Sequence, residues 1–150
     1  MKLTDITVTR TIPASSDKVF DLWMNPKSPG GPWFGAERVI LNPLVDGLFY
    51  IVVKHEGRIW PHYGRFLQID RPRRVEYTWM SEATKGAESV VTVTMGPRGD
   101  ETEVTLHHSG VPDGVSTRMA GPGFCPRSLK AVVHGGQLPH QTRRVAQGLP

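Results

Sequence analysis

Apolar and polar residues alternate along seven short segments of this chain, and this alternation restricts its fold more than any other feature. A period of two places successive side chains on opposite faces of a β-strand. Residues typical of turns separate the segments, among them Gly, Pro and Asp. The predicted strands cover residues 4–12, 36–41, 48–55, 59–68, 74–80, 89–95 and 102–108. The last six are predicted to follow one another as a meander, with a turn over residues 97–100 before the seventh strand.

A short helix is predicted between the first two strands. Pro13 ends the first strand, and Ser and Asp residues follow it that are suited to a helix N-cap. Within residues 14–24 one apolar face is formed by Val19, Phe20, Trp23 and Met24. Asn25 and Pro26 then end the helix.

The last three predicted strands each carry their apolar residues on one face. These residues are Val75, Tyr77 and Trp79, then Val91, Val93 and Met95, then Val104, Leu106 and His108. A sheet that is wet on one side needs a cover on the other, and in a strongly bent sheet the cover is typically a long helix. The segment after Pro112 is the place left for it.

The final segment is poorly suited to a long helix. Residues 115–150 contain five Gly and four Pro, and residues 127–134 form the one helical stretch free of both. Residues 1–114 contain 13 basic and 14 acidic residues, whereas residues 115–150 contain five basic residues and no acidic one. The excess positive charge therefore belongs to the tail, and we divide the chain into a domain body, residues 1–114, and an atypical segment, residues 115–150.

Length and composition predict one small domain, and the cysteine content is consistent with a reducing compartment. A chain of 150 residues is the usual size of one domain. It has no apolar run long enough to cross a membrane and no signal-like N-terminus, so we expect a cytoplasmic protein without a membrane partner. Its single cysteine, Cys125, excludes an intramolecular disulfide, and no Cys/His spacing indicates a metal site. The body has no basic stripe, so no nucleic-acid partner is expected.

Eight residues are predicted to line an apolar pocket on the concave face of the sheet. Small-molecule pockets combine mostly apolar walls with a few polar groups. The alternative is that these aromatic residues are plain core. Core is the favoured interpretation for Trp23 and Phe66, and both interpretations stay open for the aromatic residues of a Pro/Gly-rich loop and of the fifth strand. The predicted lining is Trp33, Phe34, Phe49, His62, Tyr77, Trp79, Val93 and His108.

The histidines predict a polar anchor rather than a metal or catalytic centre. Neighbouring strands are able to bring His55 and His62 together, but no carboxylate lies at a spacing that would indicate a metal site or a catalytic pair with them. His107 and His108 are adjacent and must point to opposite faces. We expect His62 or His108 to serve as the anchor, and we assign no catalytic residue, metal or cofactor.

Five stretches of the chain carry a resemblance to a known family. They are ITVTRTIPASSDKVFDLWMNP, PWFG, DGLFY, HYGRFLQIDRPRRVEYTW and TEVTLHHSGVPD. In this order they resemble bacterial proteins similar to the C-terminal domain of the activator of heat shock protein 90 ATPase, a branch of the START/SRPBCC superfamily. The resemblance covers residues 6–113, and the chain departs from the family pattern beyond Asp113.

The resemblance implies an α+β helix-grip fold, in which a curved seven-stranded antiparallel sheet wraps a C-terminal helix and encloses a cavity. It implies three functions in order of preference. The first is binding of a hydrophobic or aromatic small molecule. The second is a protein interaction module that contacts the chaperone through the outer face of the sheet. The third is a cyclase or hydrolase, which needs a polar pair among His62, Tyr63, Tyr77 and His108. Homodimer formation is left open.

Overall fold

The structure, a computed structural model, describes residues 2–27, 33, 36–82 and 84–112, and every structural statement below concerns these residues. They form one helix and seven strands. In chain order the elements are β1 (Leu3–Ile12), α1 (Ser16–Met24), β2 (Arg38–Leu41), β3 (Leu48–His55), β4 (Arg58–Asp70), β5 (Arg74–Ser81), β6 (Ser89–Arg98) and β7 (Glu101–Pro112).

The seven strands form one antiparallel sheet in the order β1-β7-β6-β5-β4-β3-β2. Strands β2 to β6 each pair with the next strand along the chain, which confirms the predicted meander. Strand β1 pairs with β7, so the first and last strands of the described chain lie side by side. Register shifts occur between Thr4 and Ile6 and between Phe66 and Gln68. Such irregularities bend a strand, in keeping with the curved sheet that was predicted.

Strands β5, β6 and β7 place their apolar residues in rows across the concave face. Val75 lies opposite Val93, which lies opposite Leu106. In the next row Tyr77, Val91 and His108 are partners. All members of both rows are buried, which confirms the face predicted from the alternation.

Strands β6 and β7 are longer than predicted. The turn predicted over residues 97–100 is narrower in the structure, because Pro97 pairs with Thr102 inside the hairpin and the turn covers Gly99 and Asp100. Gly99 has a φ of 61°, a conformation that favours glycine. Proline is compatible with a strand wherever the ladder does not need its N–H. Strand β7 likewise continues past His108 to Pro112.

Helix α1 begins at a serine cap and packs against β6 and β7. The Ser15 hydroxyl accepts a hydrogen bond from the Lys18 backbone N–H at 3.3 Å. Met24, also predicted on the apolar face, is half-buried and packs against the core, and Leu22 is buried in addition to the predicted residues. The helix buries Val19, Phe20, Leu22 and Trp23.

An ion pair ties helix α1 to the turn between β4 and β5. Arg71 Nη1 lies 2.8 Å from Asp21 Oδ1, and the Arg71 guanidinium lies 5.1 Å from the centre of the Phe20 ring. Both partners of the ion pair are largely exposed, so the contact orients the turn and adds little stability.

The atypical segment, residues 115–150, lies outside the described residues, and so does the helical stretch predicted at 127–134. Within the described part of the chain, no helix has the length and apolar character that a bilayer crossing requires.

Gly64 allows an aromatic ring to lie directly on the sheet. It is the cross-strand partner of Phe49, and a Cβ at residue 64 would overlap both the Phe49 ring and the Thr78 carbonyl oxygen. The ring of Phe49 therefore occupies the space that a side chain at position 64 would take.

We predict that Gly64→Ala destabilises the protein by on the order of 2 kcal/mol or more, because the added methyl group meets both a packed ring and a backbone oxygen. Gly96→Ala is the matched control, since Gly96 also lies in a strand and the nearest atom to its Cβ would be the Glu103 carbonyl oxygen at 4.0 Å. Urea denaturation measures both. Equal stability of the two variants would contradict the close packing of the Phe49 ring on Gly64.

Candidate functional site

Four aromatic side chains on the concave face form one cluster in which every ring contacts every other. The six centroid distances among Trp33, Phe49, Tyr77 and Trp79 all lie between 5.4 and 6.4 Å. These separations are typical of favourable aromatic pairs. Phe66 extends the cluster at 5.6 Å from Phe49. We call Trp33, Phe49, Tyr77 and Trp79 the aromatic cluster.

Hydrogen bonds to helix α1 hold two members of the aromatic cluster in place. Trp33 Nε1 donates to the Trp23 carbonyl oxygen at 2.8 Å. Trp23 Nε1 in turn donates to the Tyr77 hydroxyl oxygen at 3.4 Å. Burial raises the pKa of Tyr77, so its phenol stays neutral.

His62 lies at the edge of the aromatic cluster. Its side chain is 1% exposed, and its ring centroid lies 4.9 Å from that of Trp79. Burial lowers the pKa of His62 to about 4, and the neighbouring backbone of Ile51 and Trp60 opposes that shift. The imidazole is therefore neutral at pH 7.

Some buried nitrogen atoms on this face have no hydrogen-bond partner among the described residues. They are Nδ1 of His62, Nε1 of Trp79 and Nε1 of Trp60. Trp60 precedes His62 by two residues on β4, so the two side chains lie on the same face of the sheet. Most buried polar groups in folded proteins are paired, so neighbouring exceptions call for an explanation.

His108 forms a second polar group on the concave face, together with Ser89. The Ser89 hydroxyl donates to the Trp79 carbonyl oxygen at 2.9 Å, so its oxygen accepts from His108 Nε2 at 2.6 Å. The proton of the neutral imidazole is thereby assigned to Nε2. Burial, with a smaller contribution from the nearby His107, lowers the pKa of His108 to about 4.

Ser89 and His108 do not form a nucleophile–base pair. A nucleophilic serine needs its hydroxyl proton directed at the histidine. Here that proton points to a backbone carbonyl, and both side chains are buried. The two side chains bond to each other, and Ser89 ties them to the Trp79 backbone.

The structure brings together most of the predicted lining residues. Four of them form the aromatic cluster, and His62 contacts one of the four, Trp79. His108 reaches the Trp79 backbone through Ser89. Val93 is buried one row away, between Val75 and Leu106. Phe34 lies outside the described residues. The two residues favoured as core, Trp23 and Phe66, are buried.

The strand register keeps apart residues that the sequence allowed as members of one site. His55 pairs with Arg58, whereas His62 pairs with Ile51, so their backbones are about 13 Å apart along the strands. Tyr63 is 44% exposed and stacks on Tyr50 at 5.1 Å on the outer face, so it is not available to the concave site. Among the described residues, no three His, Cys, Asp or Glu side chains are arranged to hold a metal ion.

Three residues that shape the concave face were not predicted from the sequence: Ser89, Trp60 and Gly64. Ser89 and Trp60 stand near strand ends, where alternation alone does not fix a side chain's neighbours. Gly64 interrupts the alternation of β4, and a glycine inside a strand is a known signal of close approach by another group.

A protein-family model described as "Activator of Hsp90 ATPase homolog 1-like protein" matches residues 13–133. The match extends 20 residues beyond Asp113, so the resemblance seen in the sequence ended too early. No curated protein matches the chain.

Solved structures confirm the START/SRPBCC helix-grip architecture. A protein from Rhodobacter sphaeroides has a TM-score of 0.72 at 18% identity, covering 89% of this chain and 95% of its own. An HSP90 activator from Plasmodium falciparum has a TM-score of 0.60 at 18% identity, covering 74% and 76%. CalU16 from Micromonospora echinospora has a TM-score of 0.60 at 23% identity, covering 97% and 82%. At these identities the likeness concerns the fold.

We predict that acid destabilises the protein through His62 and His108. Both have folded-state pKa values of about 4, below the ordinary 6.5, so below pH 6.5 the unfolded chain binds protons that the folded one does not. Between pH 7.5 and 5 the unfolding free energy should fall by about 2 kcal/mol per histidine. Denaturant titrations at both pH values test this, with His62→Gln expected to remove about half of the fall. A free energy unchanged between the two pH values would refute the assignment.

Proposed function

The chain belongs to the Activator of Hsp90 ATPase homolog 1-like family, and we propose that it binds a hydrophobic or aromatic small molecule on the concave face of its sheet. The ligand would lie against the aromatic cluster, with His62 and Trp79 beside its polar group.

The observation that carries this proposal is the presence of unpaired polar atoms within an aromatic cluster. Nδ1 of His62 and Nε1 of Trp79 lie in side chains that are 1% and 3% exposed, and neither atom has a partner in the described structure. A buried polar group without a hydrogen bond costs about 1–3 kcal/mol. A plain core would be more stable with apolar groups in these places, whereas a binding site uses such atoms to orient its ligand.

The charge state of the concave face supports the same proposal. His62 and His108 are neutral at pH 7 because burial lowers the pKa of both, and burial keeps the Tyr77 phenol protonated. A neutral aromatic surface favours apolar molecules, since an ion would lose its hydration without gaining a counter-charge.

Binding at the concave face can be separated from adhesion to the outer face. We expect Trp33→Leu to weaken binding of an aromatic ligand by more than tenfold, because it removes a ring that stacks 6.0 Å from Trp79. Ile40→Ser is the control, since Ile40 is an exposed residue whose row contains Tyr50 and Tyr63 on the outer face.

The assay is a thermal-shift screen of hydrophobic compounds followed by calorimetric titration of the hits, with native mass spectrometry of protein purified from its own host. Equal weakening by Trp33→Leu and Ile40→Ser would place binding elsewhere. No stabilisation by any lipid or aromatic compound would count against the proposed function.

A second candidate function is contact with heat shock protein 90 through the outer face. It is favoured by a row of apolar and aromatic side chains across three neighbouring strands: Ile40, which is 50% exposed, pairs with Tyr50, and Tyr50 pairs with Tyr63. Exposed apolar groups that lie together often mark protein-binding sites. Leu48, also exposed, adjoins this row on β3.

If this candidate is right, the purified protein will retain the chaperone in a pull-down and raise its ATPase rate, and Tyr63→Ser will reduce both by at least fivefold. Trp33→Leu should leave the pull-down intact, because Trp33 lies on the concave face. Absence of chaperone binding by the unaltered protein would eliminate this function and leave the first untouched.

A further inference from the structure

The residues that carry the unpaired nitrogen atoms are neighbours on the concave face. His62 is the cross-strand partner of Ser81 on β5, and Trp79 lies two residues before Ser81 on the same face. Trp60 lies next to His62 on its other side along β4. Three of the four buried side-chain nitrogen or oxygen atoms without a partner in the described chain therefore fall in the line Trp60–His62–Trp79, which we call the polar line. The fourth, Arg74 Nε, belongs to a guanidinium that binds Glu76.

The chemistry of the polar line determines what it can bind. An indole N–H only donates hydrogen bonds, so Trp60 and Trp79 both need an acceptor. The Nδ1 atom of His62 adapts to either role through its tautomer. A ligand group placed here must therefore accept hydrogen bonds.

The arginine that lies against Trp60 is already paired, which favours an uncharged acceptor. Arg58 lies two residues before Trp60 on β4, and its guanidinium carbon is 4.3 Å from the centre of the Trp60 ring. Its Nη2 atom lies 2.6 Å from both carboxylate oxygens of Glu82, so its charge is already balanced. Arg58 is therefore not free to pair with a carboxylate at the polar line, and such a carboxylate would have to lose its hydration.

We propose that the polar line binds an uncharged oxygen acceptor, such as a ketone, ester or amide carbonyl, at one end of an otherwise apolar ligand. The apolar body of that ligand would lie against the aromatic cluster. The proposal rests on the proposed small-molecule function and specifies the class of ligand and its orientation.

Three probes of nearly equal shape test the polar end separately from the apolar body. They are 2-ethylnaphthalene, which has no oxygen, 2-acetylnaphthalene, which carries a ketone, and 2-naphthoate, which carries a charge. Calorimetric titration of the full chain should give a dissociation constant for the ketone about tenfold below that of the ethyl compound, as expected for one hydrogen bond to an otherwise unpaired donor. The naphthoate should bind more weakly than the ketone.

Removing single indole N–H groups assigns the effect to the polar line. Trp79→Phe and Trp60→Phe each keep an aromatic ring and delete a donor, and at least one of them should bring the ketone-to-ethyl ratio close to one. Trp33→Phe is the matched control, because its N–H already donates to the Trp23 carbonyl oxygen. It should weaken both probes by the same factor and leave their ratio unchanged. Thermal melts of the three variants establish that each is folded.

The outcomes distinguish failure of the polar line from failure of the proposed small-molecule binding. Equal binding of the ketone and the ethyl compound would overturn the polar line as an acceptor site while leaving the proposed function standing. Tightest binding by the naphthoate would overturn the inference of an uncharged group. A ketone-to-ethyl ratio that stays unchanged in both Trp79→Phe and Trp60→Phe would overturn the polar line as the site that binds the ketone oxygen. Binding of none of the three would count against the small-molecule function itself.

Discussion

The contact of the Phe49 ring with Gly64 is the constraint on which the rest of the concave face depends. The register of β3 and β4 places these residues opposite each other, and the missing side chain of Gly64 lets the ring lie on the sheet. Phe49 then contacts Trp33, Tyr77 and Trp79 within 6.4 Å. A slip of one residue in this register would turn every side chain of β3 to the other face and disperse the cluster.

Two kinds of polar group lie within this apolar face, and the difference between them gives it a functional meaning. Ser89 and His108 are paired with each other and with the Trp79 backbone, and Trp23 is paired with Tyr77. These groups fix the architecture. Nδ1 of His62 and Nε1 of Trp79 are buried in the same region without described partners, so they contribute a cost to the free protein that a ligand can offset.

Alternation in the sequence was enough to predict the seven strands, the meander and the concave residues of β5 to β7, because a half-buried strand must alternate. It failed where the outcome depends on pairing between distant segments. The register that separates His55 from His62 and the bond from Ser89 to His108 involve residues on different strands. The sequence predicts Pro97 in a turn, whereas in the structure Pro97 pairs with Thr102 inside the hairpin. The resemblance ended at residue 113, whereas the family match continues to residue 133.

The indole N–H resonances of the four tryptophans provide the most direct measurement of ligand binding at the concave face. In the free protein Trp23 and Trp33 already donate to protein oxygens, whereas Trp60 and Trp79 have no described acceptor. The measurement is a ¹⁵N–¹H spectrum recorded with saturating 2-acetylnaphthalene. We expect the Trp79 indole N–H resonance to move downfield by more than those of Trp23 and Trp33, with or without a similar shift of the Trp60 resonance. Four unchanged indole resonances, with shifts confined to outer-face residues such as Tyr63, would contradict it.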